Sequence, residues 1–138
     1  MIYLIGSLRN EKIPHIGVAL REAGHDIFDD WWGAGPEADD WWKTYEGTRG
    51  RSYRDALNGA AACTVFNFDK SHLDQAAAAV LVYPAGKSGH LEFGYIIGQG
   101  KPGYILLEGE PEQDRWDLML KFATGIVYSV PELIEVLK

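Results

Sequence analysis

Short apolar runs alternate along the chain with stretches whose apolar residues recur at helical spacing. The apolar runs predict five buried strands, over residues 2–5, 26–28, 76–83, 103–107 and 126–128. The other stretches predict helices over residues 13–23, 52–58, 64–75, 89–100, 114–122 and 130–137, and a short helix that starts near Asp39. Strands that alternate with helices in this way favour an α/β layer with a mostly parallel sheet.

The 138 residues suffice for one domain with a sizeable core, and no linker or internal repeat divides them. We therefore expect a single α/β domain over residues 1–138, a flavodoxin- or Rossmann-like sandwich in which helices flank about five strands. In such sheets ligands bind beyond the carboxyl ends of the strands. The loops after the first and third predicted strands, residues 6–10 and 84–89, should therefore share one crevice.

Both loops carry groups that suit an anionic ligand. The second loop is rich in glycine and precedes a predicted helix, whose free N–H groups can hold a phosphate. The arginine of the first loop offers a planar fork of donors that matches phosphate. Each residue alone is more often a surface residue, but several donors in one crevice of an acidic protein favour a binding site. The candidate ligand-binding residues are Gly6, Ser7, Leu8 and Arg9 in the first loop, and Lys87, Ser88, Gly89 and His90 around the second.

Glu92 is the first candidate for chemistry, because it lies one helical turn beyond the glycine-rich loop. Phe93 and Ile96 give the predicted helix an apolar face, and Gly94 and Gly98 should let another element approach closely. A carboxylate beside such a face is partly desolvated and suits a nucleophile or a base. The alternative is an exposed helix glutamate paired with a nearby lysine.

Asp69 is the second candidate, because it lies among aromatic residues on the helix before the third strand. Phe68 precedes it and Leu73 follows at i+4. A carboxyl group near Glu92 permits the two-carboxylate scheme of glycoside cleavage, in which one group attacks the anomeric carbon and the other protonates the leaving group. The alternative is a solvated helix aspartate, and Asp74 is an equally acidic neighbour.

The segment 29–42 interrupts the periodic pattern with four tryptophans and five acidic residues. Trp31 and Trp32 lead us to expect a lid that stacks on a nucleobase. A packed cap or a subunit contact explains the same aromatic density, so these alternatives stay open.

Composition narrows the possible partners and the compartment. The net charge of −7 argues against a nucleic-acid polymer, since phosphate backbones favour lysine and arginine. A single cysteine, Cys63, excludes an intramolecular disulfide and suits a reducing compartment. Without an apolar stretch of membrane-spanning length or a basic leader, we expect a cytoplasmic protein with no membrane partner. The four histidines show no metal-ligand spacing, so we expect no metal site.

Four short segments occur in an order and at a spacing that are typical of a known superfamily. They are Tyr3–Arg9, Asp69 with Leu73, Ser88–Gly94 and Gly100–Pro102. On these segments the chain resembles the nucleoside 2-deoxyribosyltransferase superfamily over about residues 1–10 and 60–107. Within it the chain looks most like the 2′-deoxynucleoside 5′-monophosphate N-hydrolases.

The resemblance assigns roles to individual residues. It implies that Glu92 is the nucleophile, that Asp69 serves the departing base and that Tyr3 orients the nucleophile. It also implies phosphate contacts from Ser7, Arg9, Ser88 and Gly89. Transferases that act on free nucleosides usually carry an aspartate just ahead of the serine–glycine pair. Here residues 85–87 are Ala-Gly-Lys, which favours an anionic 5′-phosphate.

The implied activity is cleavage of the N-glycosidic bond of a (deoxy)nucleoside 5′-monophosphate through a glycosyl-enzyme. The resemblance implies no metal or organic cofactor and a homodimer or larger homo-oligomer, and Leu8 near the sugar favours deoxyribose. Two alternatives stay open: base exchange between free nucleosides, and a nucleotide-binding sensor that does no chemistry.

Overall fold

The computed structural model describes residues 1–138 and contains one sheet whose five strands all run parallel. The strands are β1 Ile2–Ile5, β2 Ile27–Phe28, β3 Ala78–Val82, β4 Gly103–Leu106 and β5 Gly125–Val127. Their order across the sheet is β2-β1-β3-β4-β5, the order of flavodoxin-like sheets. The predicted α/β class and the number of strands are therefore confirmed.

The chain contains six helices. They are α1 Ile13–Glu22, α2 Ala38–Thr48, α3 Tyr53–Leu57, α4 Ala60–Gln75, α5 Lys87–Gly98 and α6 Val130–Val136. Helices α1 and α6 cover one face, whereas α4 and α5 cover the other. No helix is long and apolar enough to cross a membrane.

Alternating side chains of β1 pack into two separate hydrophobic cores. Tyr3 and Ile5 belong to the core under α4 and α5, while Leu4 belongs to the core under α1 and α6. This division follows from the two-residue period of a strand, whose successive side chains point to opposite faces. All five residues of β3 are buried because this central strand is covered on both sides.

After β1 and after β3 the chain turns to opposite faces of the sheet. These strands are neighbours, yet β1 continues into α1 on one face and β3 continues into α5 on the other. Such a topological switch point opens a crevice at the carboxyl edge of the sheet. The two loops expected to share a crevice therefore lie on either side of it.

Two predicted boundaries near the site are wrong. Helix α5 begins at Lys87, after an extended Gly86, so Lys87 and Ser88 form its first turn and do not belong to a loop. Helix α4 begins at Ala60, four residues before the predicted start at Thr64. Apolar periodicity locates the buried face of a helix but is a poor guide to its first turn, which here contains exposed or small residues.

Two segments without strong periodicity also differ from the prediction. The predicted helix over residues 114–122 is a pair of 3-10 turns, Gln113–Arg115 and Leu118–Phe122. Between them the Asp117 side chain accepts a hydrogen bond from the Met119 N–H at 2.9 Å, which starts a new turn at that point. The Trp-rich segment contains a 3-10 turn, Asp30–Ala34, before α2.

Candidate active site

Three side chains from three elements meet on the sheet face under α4 and α5. Tyr3 comes from β1, Asp69 from the middle of α4 and Glu92 from the second turn of α5. The negative charges of Glu92 and Asp69 both act on the Tyr3 hydroxyl, and that of Asp69 acts on Glu92. The structure therefore brings together the three residues to which the resemblance gives catalytic roles.

Tyr3 presents a buried hydroxyl to the two carboxyl groups. Its side chain is fully buried, and its ring lies 5.0 Å from the ring of Phe28 between centroids. Burial, followed by the charges of Glu92 and Asp69, raises the pKa of Tyr3 above the usual range of tyrosine. The hydroxyl thus stays protonated. This hydroxyl has no other hydrogen-bond partner, and Glu92 is the group to which its O–H can donate.

Glu92 lies in surroundings that oppose its ionisation. Burial raises the pKa of Glu92 from 4.5 to about 7, and the charge of Asp69 adds to the rise. The Tyr3 hydroxyl acts in the opposite direction, because a neutral donor stabilises the carboxylate. Near neutral pH, Glu92 is therefore present both as the acid and as the carboxylate. This property is typical of a catalytic carboxyl group.

Asp69 also has a raised pKa, because of burial, and the charge of His72 opposes the rise. The two carboxyl groups are coupled, so they titrate as a pair. Burial raises the pKa of Glu92 more than that of Asp69, so in the free protein the first proton of the pair is on Glu92. Proton sharing between two carboxyl groups with separated pKa values is the arrangement that glycoside cleavage uses.

The structure distinguishes Asp69 from its acidic neighbour Asp74. The Asp74 carboxylate accepts hydrogen bonds from the Tyr95 hydroxyl at 2.5 Å, from Gln99 at 2.9 Å and from Lys70 at 2.9 Å. These donors, Tyr95 first, hold the pKa of Asp74 well below its usual range. Asp74 therefore ties α4 to α5 and lies outside the carboxyl pair.

The first loop is held by a hydrogen bond within the loop and by an ion pair with α2. The Ser7 hydroxyl accepts a hydrogen bond from the Arg9 N–H at 3.1 Å, and the Arg9 guanidinium pairs with Asp40 at 3.2 Å. Arg9 and Asp40 are both exposed, and Leu8 is partly exposed. Packing also favours glycine at position 6, because a Cβ there would lie 2.6 Å from the Cδ1 atom of Ile13.

The start of α5 offers an exposed and uncapped helix terminus. Gly86 precedes the helix, and no side chain caps it. Lys87 and Ser88 are exposed, whereas Gly89 is buried. A Cβ on Gly89 would lie 3.3 Å from side chains of β1 and β3, so this glycine lets α5 pack closely on the sheet.

The expected close approach at Gly94 and Gly98 is wrong. A Cβ at either position would meet nothing within 4 Å. Both glycines face open space, whereas a Cβ on Gly89 would contact side chains of the sheet and a Cβ on Gly103 would contact side chains of α5. Spacing along a helix shows which residues share a face but not which neighbour covers that face.

His90 is fixed by two hydrogen bonds at the start of α5. Its Nδ1 atom lies 2.7 Å from the Gly86 carbonyl oxygen, and its Nε2 atom lies 2.8 Å from the Tyr83 hydroxyl oxygen. A carbonyl only accepts, so Nδ1 carries the proton and the hydroxyl donates to Nε2 in the neutral ring. The exposed His90 thus holds Tyr83 beside the glycine-rich turn.

Trp31 and Trp32 are tied to the backbone next to the first loop. Their indole N–H groups donate to the carbonyls of Leu4 at 2.7 Å and of Asn10 at 3.0 Å, respectively. Both side chains are partly buried, and these contacts fit the packed-cap alternative. Stacking of either ring on a nucleobase stays a prediction.

Sequence reasoning missed three residues of this region. Phe28 backs Tyr3, His72 acts on Asp69, and Asp40 pairs with Arg9. Only His72 had a local signal, because it lies three residues after Asp69 and thus on the same helix face. The other two lie far along the chain from their partners. No group of three or more His, Cys, Asp or Glu side chains is positioned to hold a metal ion.

In comparisons with known proteins, no family model matches this chain and no curated protein matches it significantly.

Proposed function

We propose that this protein cleaves the N-glycosidic bond of a (deoxy)nucleoside 5′-monophosphate, with Glu92 as nucleophile and Asp69 as acid and base. One observation carries the proposal: two partly buried carboxyl groups from different helices share a site with a buried tyrosine hydroxyl. Burial raises the pKa of both groups, and that of Glu92 reaches about 7. Such a pair suits the two-carboxylate scheme of glycoside cleavage.

In the first step, an Oε atom of Glu92 attacks the anomeric carbon of the sugar. The bond between that carbon and the base nitrogen breaks, and its electron pair leaves with the base. Asp69 donates a proton to the departing base and becomes a carboxylate. The Tyr3 O–H faces Glu92 and fixes the direction of attack.

In the second step, a water molecule resolves the glycosyl ester. The Asp69 carboxylate takes a proton from the water, whose oxygen attacks the anomeric carbon. The Glu92 carboxylate leaves and the sugar phosphate is released. Asp69 is then protonated again and ready for the next turnover.

The reactive state is the pair with one proton. The step requires that proton on Asp69 and an ionised Glu92. In the free protein Glu92 holds the proton more strongly, because it is more affected by burial. The reactive arrangement is therefore the less populated one, and the Tyr3 O–H favours it by stabilising the Glu92 carboxylate.

The crevice at the switch point supports a nucleotide as substrate. The exposed start of α5 has free N–H groups, and Lys87 and Arg9 add positive charge in an acidic protein. Charge-assisted hydrogen bonds from such groups to a phosphate contribute roughly 1.5–3 kcal/mol each. An uncharged nucleoside would leave Lys87 and the free N–H groups of α5 without an anionic partner.

The test is the release of free base from a panel of nucleoside 5′-monophosphates and nucleosides, read by chromatography. Arg9→Ala should lower kcat/KM for the monophosphate by about ten- to a hundredfold and leave activity on the free nucleoside unchanged. Lys12→Ala is the matched control, since Lys12 is another exposed cation, paired with Glu108. Equal losses on both substrates in Arg9→Ala would refute the nucleotide assignment.

One observation favours the alternative of base exchange between free nucleosides. Asp40 already neutralises the Arg9 guanidinium and places a negative charge beside the first loop. A phosphate must compete with this carboxylate. A wild-type protein that prefers nucleosides, and that transfers the sugar to an added second base, would be a transferase. Ligand binding without any base release would indicate the sensor.

The remaining expectations complete the proposal. The substrate is a small molecule rather than a nucleic-acid polymer or a membrane, and the protein acts in the cytoplasm as a homodimer or larger homo-oligomer. Exposed apolar side chains on α4 and α5, including Val65, Phe66 and Leu91, support self-association. Sedimentation analysis at several concentrations tests it.

A further inference from the structure

A polar cluster joins the end of α4 to the end of α5. The Asp74 carboxylate of α4 accepts hydrogen bonds from the Tyr95 hydroxyl of α5 at 2.5 Å and from Gln99, directly after α5, at 2.9 Å. The Lys101 ammonium donates to the backbone carbonyls of Leu73 at 3.1 Å and of Asp74 at 2.9 Å. This cluster of Asp74, Tyr95, Gln99 and Lys101 is the Asp74 clamp.

The Asp74 clamp lies about one helical turn beyond the carboxyl pair on both helices. Asp74 follows Asp69 by five residues on α4, and Tyr95 follows Glu92 by three residues on α5. These spacings correspond to about 7 Å and about 5 Å along the helix axes. The two helices lead into neighbouring parallel strands and run in the same direction, so both spacings point the same way.

The carboxyl pair itself does not hold the two helices together. The groups that face Glu92 are Asp69 from α4 and the neutral hydroxyl of Tyr3 from β1. The charge of Asp69 acts unfavourably on an ionised Glu92, so ionisation of the pair pushes α4 and α5 apart. The clamp resists this separation. It persists while the pair titrates, because the donors of Asp74, Tyr95 first, hold the pKa of Asp74 well below its usual range.

We propose that Asp74 is a positioning residue of the carboxyl pair, which holds α5 against α4 and so fixes Glu92 beside Asp69. The catalytic consequence rests on the proposed function, because the two-carboxylate scheme needs both groups at one glycosidic bond. The position of Glu92 relative to Asp69 is a property of the free protein. Its effect on the titration of Glu92 can therefore be measured without a substrate.

The first test follows the Glu92 carboxyl carbon by NMR in a pH titration of the free protein, with the signal assigned by its absence from Glu92→Gln. Asp74→Ala removes the side-chain hydrogen bonds from the α4 side. The double variant Tyr95→Phe, Gln99→Ala removes them from the α5 side. Both should lower the titration midpoint of Glu92 by roughly 0.5–1 pH unit, because Glu92 becomes more hydrated and lies farther from the charge of Asp69.

Two further variants separate positioning from a general loss of stability. Asp74→Asn keeps an acceptor oxygen for Tyr95 and should shift the midpoint less than Asp74→Ala. Ser129→Ala removes the N-cap of α6, on the opposite face of the sheet, and should lower the melting temperature without moving the midpoint. An unchanged midpoint in the double variant overturns the proposal, as does an equal shift in Ser129→Ala. The double variant decides the question even if Asp74→Ala does not fold.

The second test is the pH profile of base release. In Asp74→Ala and in the double variant, the alkaline limb of kcat/KM should move to lower pH together with the NMR midpoint. A shifted midpoint with an unmoved alkaline limb would overturn the positioning role in catalysis. If no substrate releases base in the wild type, the proposed function fails, whereas the NMR titration still decides whether the Asp74 clamp positions Glu92.

Discussion

Glu92 shows at the level of one residue how a buried carboxyl group without a cationic partner opposes the stability of the fold. Its carboxyl group is partly buried beside a second carboxyl group and a tyrosine hydroxyl. Ionisation there is unfavourable because the charge loses hydration and meets another negative charge. No cation pairs with Glu92, whereas the buried Glu46 lies beside the side chains of Arg49 and Arg51. This contrast separates a carboxylate that serves structure from one suited to chemistry.

Glu92→Gln should stabilise the protein at pH 8 and abolish base release. The pKa of Glu92 is raised in the folded state, so its contribution to stability is complete below about pH 4.5 and is lost as the pH rises through 7. The variant avoids that loss, which we place at about 1–3 kcal/mol. Thermal melts at pH 4 and pH 8 measure the difference, which should be small at pH 4.

The matched control is Glu22→Gln, at an exposed position near the end of α1. It should change neither stability nor turnover. Wild-type turnover in Glu92→Gln would contradict the assignment of Glu92 as nucleophile. Loss of folding in Glu92→Gln would show that the carboxylate serves the structure.

Helix α5 joins the site to the rest of the fold at the level of elements. Its first turns pack on the sheet through Gly89, while Tyr95 of α5 and Gln99, directly after the helix, bind Asp74 of α4. Lys101, just beyond α5, donates to the carbonyls of Leu73 and Asp74 at the end of α4. The separation between α4 and α5 therefore decides the separation between Asp69 and Glu92.

Asp74→Asn should loosen this connection and lower the melting temperature at pH 7. The pKa of Asp74 is depressed in the folded state, so its contribution is present above the ordinary aspartate pKa and is lost as the pH falls. Melting curves should therefore differ between variant and wild type at pH 7 and converge in acid. A difference that is as large at pH 2 as at pH 7 would contradict the role of the carboxylate charge.

Gly103→Ala and Gly94→Ala should act in opposite directions on stability. A Cβ on Gly103 of β4 would lie 2.7 Å from the ring of Phe93, so the substitution should push α5 from the sheet and cost about 1–3 kcal/mol. A Cβ on Gly94, inside α5, would meet nothing within 4 Å, and alanine there should add roughly 0.5–1 kcal/mol. Chemical denaturation of both variants measures the contrast, which equal effects would refute.

The whole molecule brings the carboxyl pair together from distant parts of the chain. Asp69 and Glu92 come from the helices that precede and follow β3 in the chain, and Tyr3 comes from the strand beside β3. Their protonation is therefore a property of the tertiary fold. A substitution that separates α4 from α5 should therefore change the pKa values of Asp69 and Glu92 even if no site residue is replaced.

The rate of base release should fall above about pH 7, because the pair then loses its single proton. Asp69→Asn removes both the acid and the negative charge that raises the pKa of Glu92. Its residual activity should show no alkaline fall, and substrates with poor leaving bases should lose most. Profiles of kcat/KM over pH for good and poor leaving bases test this. A uniform loss would mean that Asp69 only positions the substrate.

The amino-acid sequence by itself determined the class of the fold and the identity of the candidate residues. An apolar run of four residues such as Ile2–Ile5 is too short for a buried helix, and its alternation with helical patterns indicates the α/β class. The carboxyl group of Glu92, one turn beyond a glycine-rich loop, was visible from spacing.

Only the tertiary structure decided which of several equal candidates matter. Asp69 and Asp74 look alike along α4, but Tyr95 of α5 and the adjoining Gln99 donate hydrogen bonds only to Asp74. Gly94 looked like a contact point, yet the sheet approaches α5 at Gly89. Burial, ion pairing and close approach depend on what lies opposite a residue. Those partners are far away in sequence, so no local pattern contains them.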